Sequence, residues 1–400
     1  MSVRIELRRD AGKVDRTTAW IRRQQVARVL GPPDPAAIAE LVDHRGRVLG
    51  HGLYSPDSKI VLRLLSWGER RPASDWLPKR LAAALSGRAA LGLDPRTTGL
   101  REVNSEGDNL PGLVVDRFGD WRVVQITTAP MALRRHEVTD WLRSHAALSG
   151  GEILLLPESA AERERFTPGV EVLPVDPTAA IPTSLEWREH DRRFSAPAPP
   201  AQKTGAYHDQ RDNRARFAEL ATTRVDVRML DLGCHVGGFS IAAAQLGASV
   251  VAVDQSNVAL EHVRHNALAN GVADRIETVA ADMFGELDHP SLAGPFDAVI
   301  VDPPKIAASR RDLPRAERAL TRTLARLWPR VREAGLLGVC SCSQHLGWEQ
   351  LDRIALEAAD RMQIVRLARW GAGLDHPIAP GHEQGEYLRV AVYQRRGHMV

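Results

Sequence analysis

The hydrophobic pattern of the chain changes twice along its length. Up to about residue 72, apolar stretches at Val26–Leu30, Val48–Leu53 and Ile60–Leu65 are cut by Pro-Pro-Asp, His-Arg-Gly and Ser-Pro-Asp-Ser turns. That alternation predicts a small β domain. From Asp75 to Leu91, Trp76, Leu77, Leu81, Ala84 and Leu85 recur at helical spacing and predict a helix. Two β runs joined by Phe118-Gly119-Asp120 predict a hairpin, followed by a helix over 131–146 and a strand at Ile153–Leu156. The polar loop from Asn104 to Gly112 can line a site or simply turn the chain, and the turn is the simpler reading. Ser195 to Ala201 reads as a proline-rich connector. Beyond it, from Val227 to Lys305, short continuous apolar runs each end in an acid or a glycine-rich turn. Buried parallel strands with ligand-binding loops at their carboxyl ends have this form.

The first of these strands ends at Asp231-Leu232-Gly233, with Gly237 and Gly238 following and an apolar helix predicted over Phe239–Leu246. The second, Ser249–Val253, ends in Asp254, 23 residues after Asp231. An acid at that distance is placed for the two hydroxyls of a ribose. A nicotinamide cofactor needs a glycine where this chain has His235, because its pyrophosphate approaches the backbone there. A ligand without a pyrophosphate fits better, and S-adenosyl-L-methionine (SAM) is the obvious one. Asp231, Gly233 and Gly237 then surround its amino-acid part, Asp254 takes the ribose and Asp282 meets the adenine amino group. Upstream, Gln202-Lys-Thr-Gly-Ala-Tyr-His-Asp-Gln-Arg-Asp-Asn-Arg214 is densely polar. One reading sends Gln210, Arg211 and Arg214 to the cofactor carboxylate or the substrate; the other is a solvated helix start with Asp212 or Asn213 near its cap.

Composition narrows the class. Four hundred residues suit two or three domains, and 44% hydrophobic with 26% charged residues is ordinary for a globular chain. No run of about 18 apolar residues predicts a membrane span, and the first residues do not read as a signal peptide. Cys234, Cys340 and Cys342 make no disulfide framework, which fits a reducing cytoplasm. The net charge of +3 conceals an asymmetry: residues 1–71 carry 14 Lys+Arg against 8 Asp+Glu, a balance of +6, leaving −3 for the rest. A basic first domain is expected if that domain touches phosphate. Arg311, Arg315, Arg318, Arg322 and Arg326 also recur at helical spacing, opposite Leu320, Leu324, Leu327 and Val331. That face is either a track for RNA or a solvated surface.

His44-Arg-Gly-Arg-Val-Leu-Gly-His-Gly-Leu-Tyr-Ser resembles the PUA domain, a small RNA-binding β barrel. Asp209-Gln-Arg-Asp-Asn-Arg214, the Gly237-Gly-Phe turn, Val301-Asp-Pro-Pro-Lys305 and Cys340-Ser-Cys-Ser343 follow in order. With the segment from Asn104 to Arg117, they resemble the PUA-containing 23S rRNA cytosine-5 methyltransferases across essentially the whole chain. The resemblance implies an α/β fold: a PUA-like barrel at 1–72, a central α+β domain at 75–194 and a Rossmann-like SAM-dependent methyltransferase domain at 201–396. It implies 23S rRNA or a large-subunit precursor as partner, no membrane, and leaves a homodimer open. Cys342 matches the family's catalytic cysteine, with Asp302 and Lys305 beside it on a stiff loop that holds the base; Asp302 also faces the cofactor. If the strand alternates, Cys340 is expected to turn to the opposite face. Cys340, Cys342 and His345 lack a fourth ligand nearby for zinc. The chain departs from the family at His235-Val236, where an aromatic and a threonine are usual, and at Arg318–Thr323, where a Tyr-Lys pair is usual. Two other readings remain: an RNA nitrogen methyltransferase with a structural Cys342, and a non-catalytic SAM-binding rRNA assembly factor.

Overall fold

The computed structural model describes residues 3–146, 148–200, 204–307 and 309–398. Gln202 and Lys203, the start of the polar segment, lie outside the described residues. The chain divides into two compact units. The first comprises Met1–Leu185, Pro197–Ala206 and Leu374–Gly385; the second comprises Glu186–Ala196, Tyr207–Gly373 and Glu386–Val400.

The first unit holds two sheets. Six strands between Arg4 and Trp67 form one, closed over a core that includes Ile5, Ile21, Leu41, Val61 and Leu62. Its Val26–Leu30 strand lies at an edge and, among the described residues, pairs only with Arg4–Leu7, so its side chains stay largely exposed. Some of its cations meet acids: Arg4 pairs with Glu40, Arg28 with Glu6, Arg47 with Asp43, and buried Arg63 with Glu164. The second sheet has five strands between Gly99 and Pro174, with Phe118 opposite Trp121 across the Gly119-Asp120 turn. Helices Trp76–Ala89 and Arg135–His145 contribute to its core, and a separate turn of helix, Ala129–Ala132, precedes the latter. The Asn104–Gly112 loop is pinned from inside, with Arg88 Nη2 donating to Asp108 Oδ2 at 2.7 Å and to the Asp375 carbonyl at 3.1 Å.

The second unit is a seven-stranded sheet flanked by helices. Its elements are α1 (Arg211–Ala221), β1 (Arg228–Leu232), α2 (Gly238–Gln245), β2 (Ser249–Asp254), α3 (Asn257–Ala269), β3 (Ile276–Ala280), β4 (Phe296–Val301), α4 (Leu313–Leu327), β5 (Val331–Ser341), α5 (Trp348–Ala359), β6 (Met362–Trp370) and β7 (Arg389–His398). The strand order is β3-β2-β1-β4-β5-β7-β6. β1 to β5 run parallel, while β7 is antiparallel to both neighbours. Parallel strands covered on both faces must be apolar throughout. Leu230, Leu232, Val251, Val253, Val299, Val301, Leu337 and Val339 meet that need and are all buried. The strand order reverses between β1 and β4, which opens a crevice at their carboxyl ends.

Two local expectations are corrected. The proline-rich stretch does not begin as a connector: Arg192–Pro197 is a strand paired with Ser184–Glu189, and the Ser195 N–H donates to Asn266 Oδ1 at 2.8 Å. Val331 does not extend the apolar side of α4. A short 3-10 turn, Trp328–Arg330, ends the helix, and Val331 opens β5.

Candidate active site

The crevice is built by loops that leave β1, β2, β4 and β5 at their carboxyl ends. After β1 the chain turns through Gly233, at φ +89°, where a Cβ would lie 2.4 Å from the Asp302 carbonyl oxygen and 2.6 Å from Met283 Cε. Only glycine satisfies both the conformation and the close approach. Asp302 in turn donates its N–H to the Leu232 carbonyl at 2.9 Å, so the loops after β1 and β4 are seated on each other. Gly237, at φ +86°, caps α2. The next residue, Gly238, lies against Arg214, whose Nε would be 2.4 Å from a Cβ.

Asp231 is fully buried at the end of β1. Its Oδ2 accepts from Ser240 N at 3.0 Å and Ser240 Oγ at 2.6 Å, while Oδ1 has no partner among the described residues. Burial pushes its pKa up to about 7, against the hydrogen bonds from Ser240 and with the help of the Asp302 charge. A buried carboxylate with one orphan oxygen suits an incoming cation. Asp254 ends β2 half-buried, taking one backbone donor on each oxygen: His235 N at 3.0 Å and Ser256 N at 2.9 Å. Its remaining lone pairs can accept hydroxyls. Asp282 is exposed after β3, with Oδ1 accepting from Phe284 N at 2.9 Å. These acids and the two left-handed glycines fit a ligand that combines an ammonium group with a nucleoside.

On the other side of the crevice, buried Gln210 donates to Asp302 Oδ2 at 3.3 Å. Its amide is held in that sense by Asn213, whose Nδ2 donates to Gln210 Oε1 at 2.8 Å and to the Gly371 carbonyl at 2.9 Å. Lys305 is exposed on the loop after Asp302. Cys342 is half-buried just beyond β5. The Ala307 N–H donates to Ser343 Oγ at 3.2 Å, which ties the Cys342 segment to the Asp302–Lys305 loop. Among the described residues no group of three His, Cys, Asp or Glu could hold a metal ion.

Two side chains have partners that the sequence did not announce. Arg214 is committed elsewhere: buried, it makes an ion pair with buried Glu189 and donates Nη2 to the Tyr207 carbonyl at 3.0 Å. Burial alone would raise the Glu189 pKa, yet Arg214 holds it below its ordinary value. Cys340 does not turn away. Cys340 is fully buried, and Asp302, Gln210 and Cys342 are among the groups that act on its thiol, which sets it on the side of the crevice. Burial raises its pKa well above the ordinary thiol value.

One residue was missed. Tyr207 is half-buried, its ring edge-on to His235 at 5.1 Å between centroids. Burial, then the charges of Asp302, Cys342, Asp209 and Asp254, push its phenol up to about 12. A single aromatic ring is thus placed in the field of both the acid of β2 and the thiol after β5. Its signal in the sequence is only that it is the one aromatic side chain in the polar segment before α1.

Comparison with known proteins agrees with this architecture. Residues 7–67 match the PUA-like domain family, and residues 162–371 match the S-adenosylmethionine-dependent methyltransferase family. A protein of Tolumonas auensis named ribosomal RNA large subunit methyltransferase I is 31% identical over 98% of this chain and 99% of its own length. One of Deinococcus radiodurans, named ribosomal RNA large subunit methyltransferase, is 32% identical over 94% of this chain and 93% of its own. A structure from Streptococcus mutans, described as a SAM-dependent methyltransferase, superposes with a TM-score of 0.79 at 17% identity, covering 98% of this chain and all of that one. Another with the same figures is complexed with SAH. The chain belongs to the S-adenosylmethionine-dependent methyltransferases, in the full-length family with a PUA-like domain that includes the proteins named ribosomal RNA large subunit methyltransferase I.

Proposed function

We propose that this protein methylates carbon 5 of a cytosine in large-subunit ribosomal RNA through a covalent adduct on Cys342. The observation that carries the reading is the half-buried Cys342 thiol, tied by Ser343 to the Asp302–Lys305 loop at the mouth of the crevice. The names of the relatives in Tolumonas auensis and Deinococcus radiodurans support the RNA substrate.

Carbon 5 of cytosine is a weak nucleophile. Addition of the Cys342 thiolate to carbon 6 forms a C–S bond and shifts the 5,6 π pair onto carbon 5, which becomes enamine-like. S-adenosylmethionine supplies an electrophilic methyl group when bound. A base then removes the carbon-5 proton, the electron pair restores the 5,6 double bond, and the C–S bond breaks to release the thiolate. Asp231 holds the cofactor's ammonium group, Asp254 its ribose hydroxyls and Asp282 its adenine. Gly233 and Gly237 leave room at its amino-acid part. Asp302 and the carbonyls of its loop accept from the amino edge of the cytosine, while Lys305 adds a cation on that loop. Gln210 orients Asp302. The base must leave its stack to reach both thiol and methyl donor.

RNA carrying 5-fluorocytosine tests the reading, because its carbon-5 substituent cannot leave as a proton. A denaturation-resistant protein–RNA adduct that requires S-adenosylmethionine is expected, and Cys342→Ala should abolish both adduct and methyl transfer. Full turnover by Cys342→Ala, with the methyl on a nitrogen, would reject the cytosine-5 assignment.

A further inference from the structure

Most arginines of this protein are spent within the fold, but one continuous group is not. Residues 305–327 hold seven Lys+Arg against two acids, a net +5, while the whole chain carries +3. Both acids are engaged: Asp312 accepts from Ser309 N and Oγ, and Glu317 pairs with Arg353. Arg326 is also engaged, at the Gly285 carbonyl and at Glu286. Lys305, Arg310, Arg311, Arg315, Arg318 and Arg322 are all exposed. The salt bridges of the described residues include none of the six.

This contrasts with the basic N-terminal sheet, where several cations are matched by neighbouring acids. An unmatched row of guanidinium groups repels itself and persists best where a polyanion neutralises it.

Position adds a second argument. Lys305 closes the loop that carries Asp302, and the chain runs from there into α4. α4 descends from the carboxyl edge of the sheet, where β4 ends, towards the edge where β5 begins. Its apolar side, Leu320, Leu324 and Leu327, is buried, which turns Arg315, Arg318 and Arg322 outward. From Arg315 to Arg322 the helix rises ~10 Å, the span of about three phosphates along one strand.

We infer that the outer face of α4, with Lys305, Arg310 and Arg311 leading into it, is the track for the RNA strand that flanks the flipped cytosine. The inference rests on the RNA-methylation reading above and adds where the substrate backbone runs. The contacts are phosphate contacts: they set affinity and register and carry no base specificity.

The test uses the full chain and a labelled single-stranded oligocytidine RNA. Its affinity is measured across a salt series for wild type, for Arg315→Gln/Arg318→Gln/Arg322→Gln, and for a control, Arg224→Gln/Arg361→Gln. Arg224 and Arg361 are exposed at the opposite edge of the sheet, ahead of β1 and β6. Each lost phosphate contact on a single strand lowers the slope of log K against log salt by about 0.7, so the triple variant should lose about 2. The control should keep the wild-type slope, and calorimetry should give all three proteins the same affinity for S-adenosylmethionine. A wild-type slope in the triple variant would overturn the inference while leaving RNA methylation intact, and so would an equal loss per arginine in the control. Wild-type protein that binds the cofactor but no RNA at low salt would remove the RNA reading, and this track with it.

Discussion

Asp231 gives the most discriminating experiment, because its burial sets stability against cofactor binding. Its pKa in the folded protein is about 7, above the ordinary 3.8. The folded state therefore holds the proton more tightly than the unfolded chain. The associated stability is fully present below about pH 4 and is lost as the pH rises through 7. Three units correspond to ~4 kcal/mol as an upper limit. Asp231→Asn keeps the shape and can still accept from Ser240, but carries no charge to desolvate. At pH 8 the cofactor-free variant should be more stable than wild type by about 2–4 kcal/mol, roughly 4–12 °C in the Tm of the second unit, which holds about half the chain. Below pH 4, where Asp231 is protonated in the folded and unfolded states alike, the two should melt together. The same variant cannot balance an ammonium group, so its affinity for S-adenosylmethionine at pH 8 should fall by ~2 kcal/mol or about thirtyfold. Wild-type affinity should rise with pH between 6 and 8, and that rise should vanish in the variant. Thermal melts at the two pH values with calorimetry across the series decide it. A variant less stable than wild type at pH 8 would refute the assignment of Asp231 as a buried acid that is strained when ionised.

Other expectations follow from the same geometry. Tyr207→Ala should lower kcat/KM for RNA by about 10–100-fold, the worth of one aromatic–base stack, while cofactor affinity measured by calorimetry stays unchanged; the opposite split would place Tyr207 on the cofactor. Glu189→Gln should cost about 3 kcal/mol in a denaturant titration, since it leaves buried Arg214 without its counter-charge, and Glu189→Leu/Arg214→Met should lose less than the single change. Cys340→Ala removes a buried thiol beside Gln210 and should slow turnover only about fivefold, near 1 kcal/mol, yet still form the 5-fluorocytosine adduct. An adduct lost in Cys340→Ala but kept in Cys342→Ala would exchange the two thiols' roles.

The sheet was legible because burial on both faces demands uninterrupted apolar runs, and Val250–Val253 and Ala298–Val301 supply them. Asp231, Asp254 and Asp302 were legible because the ends of such strands are where an acid has little structural reason to stand. What the sequence hid was pairing at a distance. Glu189 lies 25 residues before Arg214, and nothing in either neighbourhood announces that they neutralise each other. Ser195–Pro197 looked like a connector because prolines interrupt ladders, yet a two-stranded ribbon is all edge and tolerates them. The N-terminal excess of +6 already counts Glu6, Glu40 and Asp43; what a sum along the sequence does not reveal is that a distant acid, Glu164, takes buried Arg63. Cys340 is a different case: β5 ends at Ser341, between the two thiols, so strand alternation alone could not assign Cys340 a face relative to Cys342.

The paired glycines at the start of α2 constrain the order in which this protein can change. Gly237 is required by its backbone angle, but Gly238 is required by the side chain of Arg214 lying across it. Any methyl at 238 would have to push that guanidinium off Glu189 and strand a carboxylate in the interior. The arginine and the glutamate would therefore have to be replaced first, by an uncharged pair of similar bulk, before the glycine became free to vary. A homologue with a larger residue at this position should already lack both charges, so three residues scattered over some fifty positions of the chain form one inherited unit.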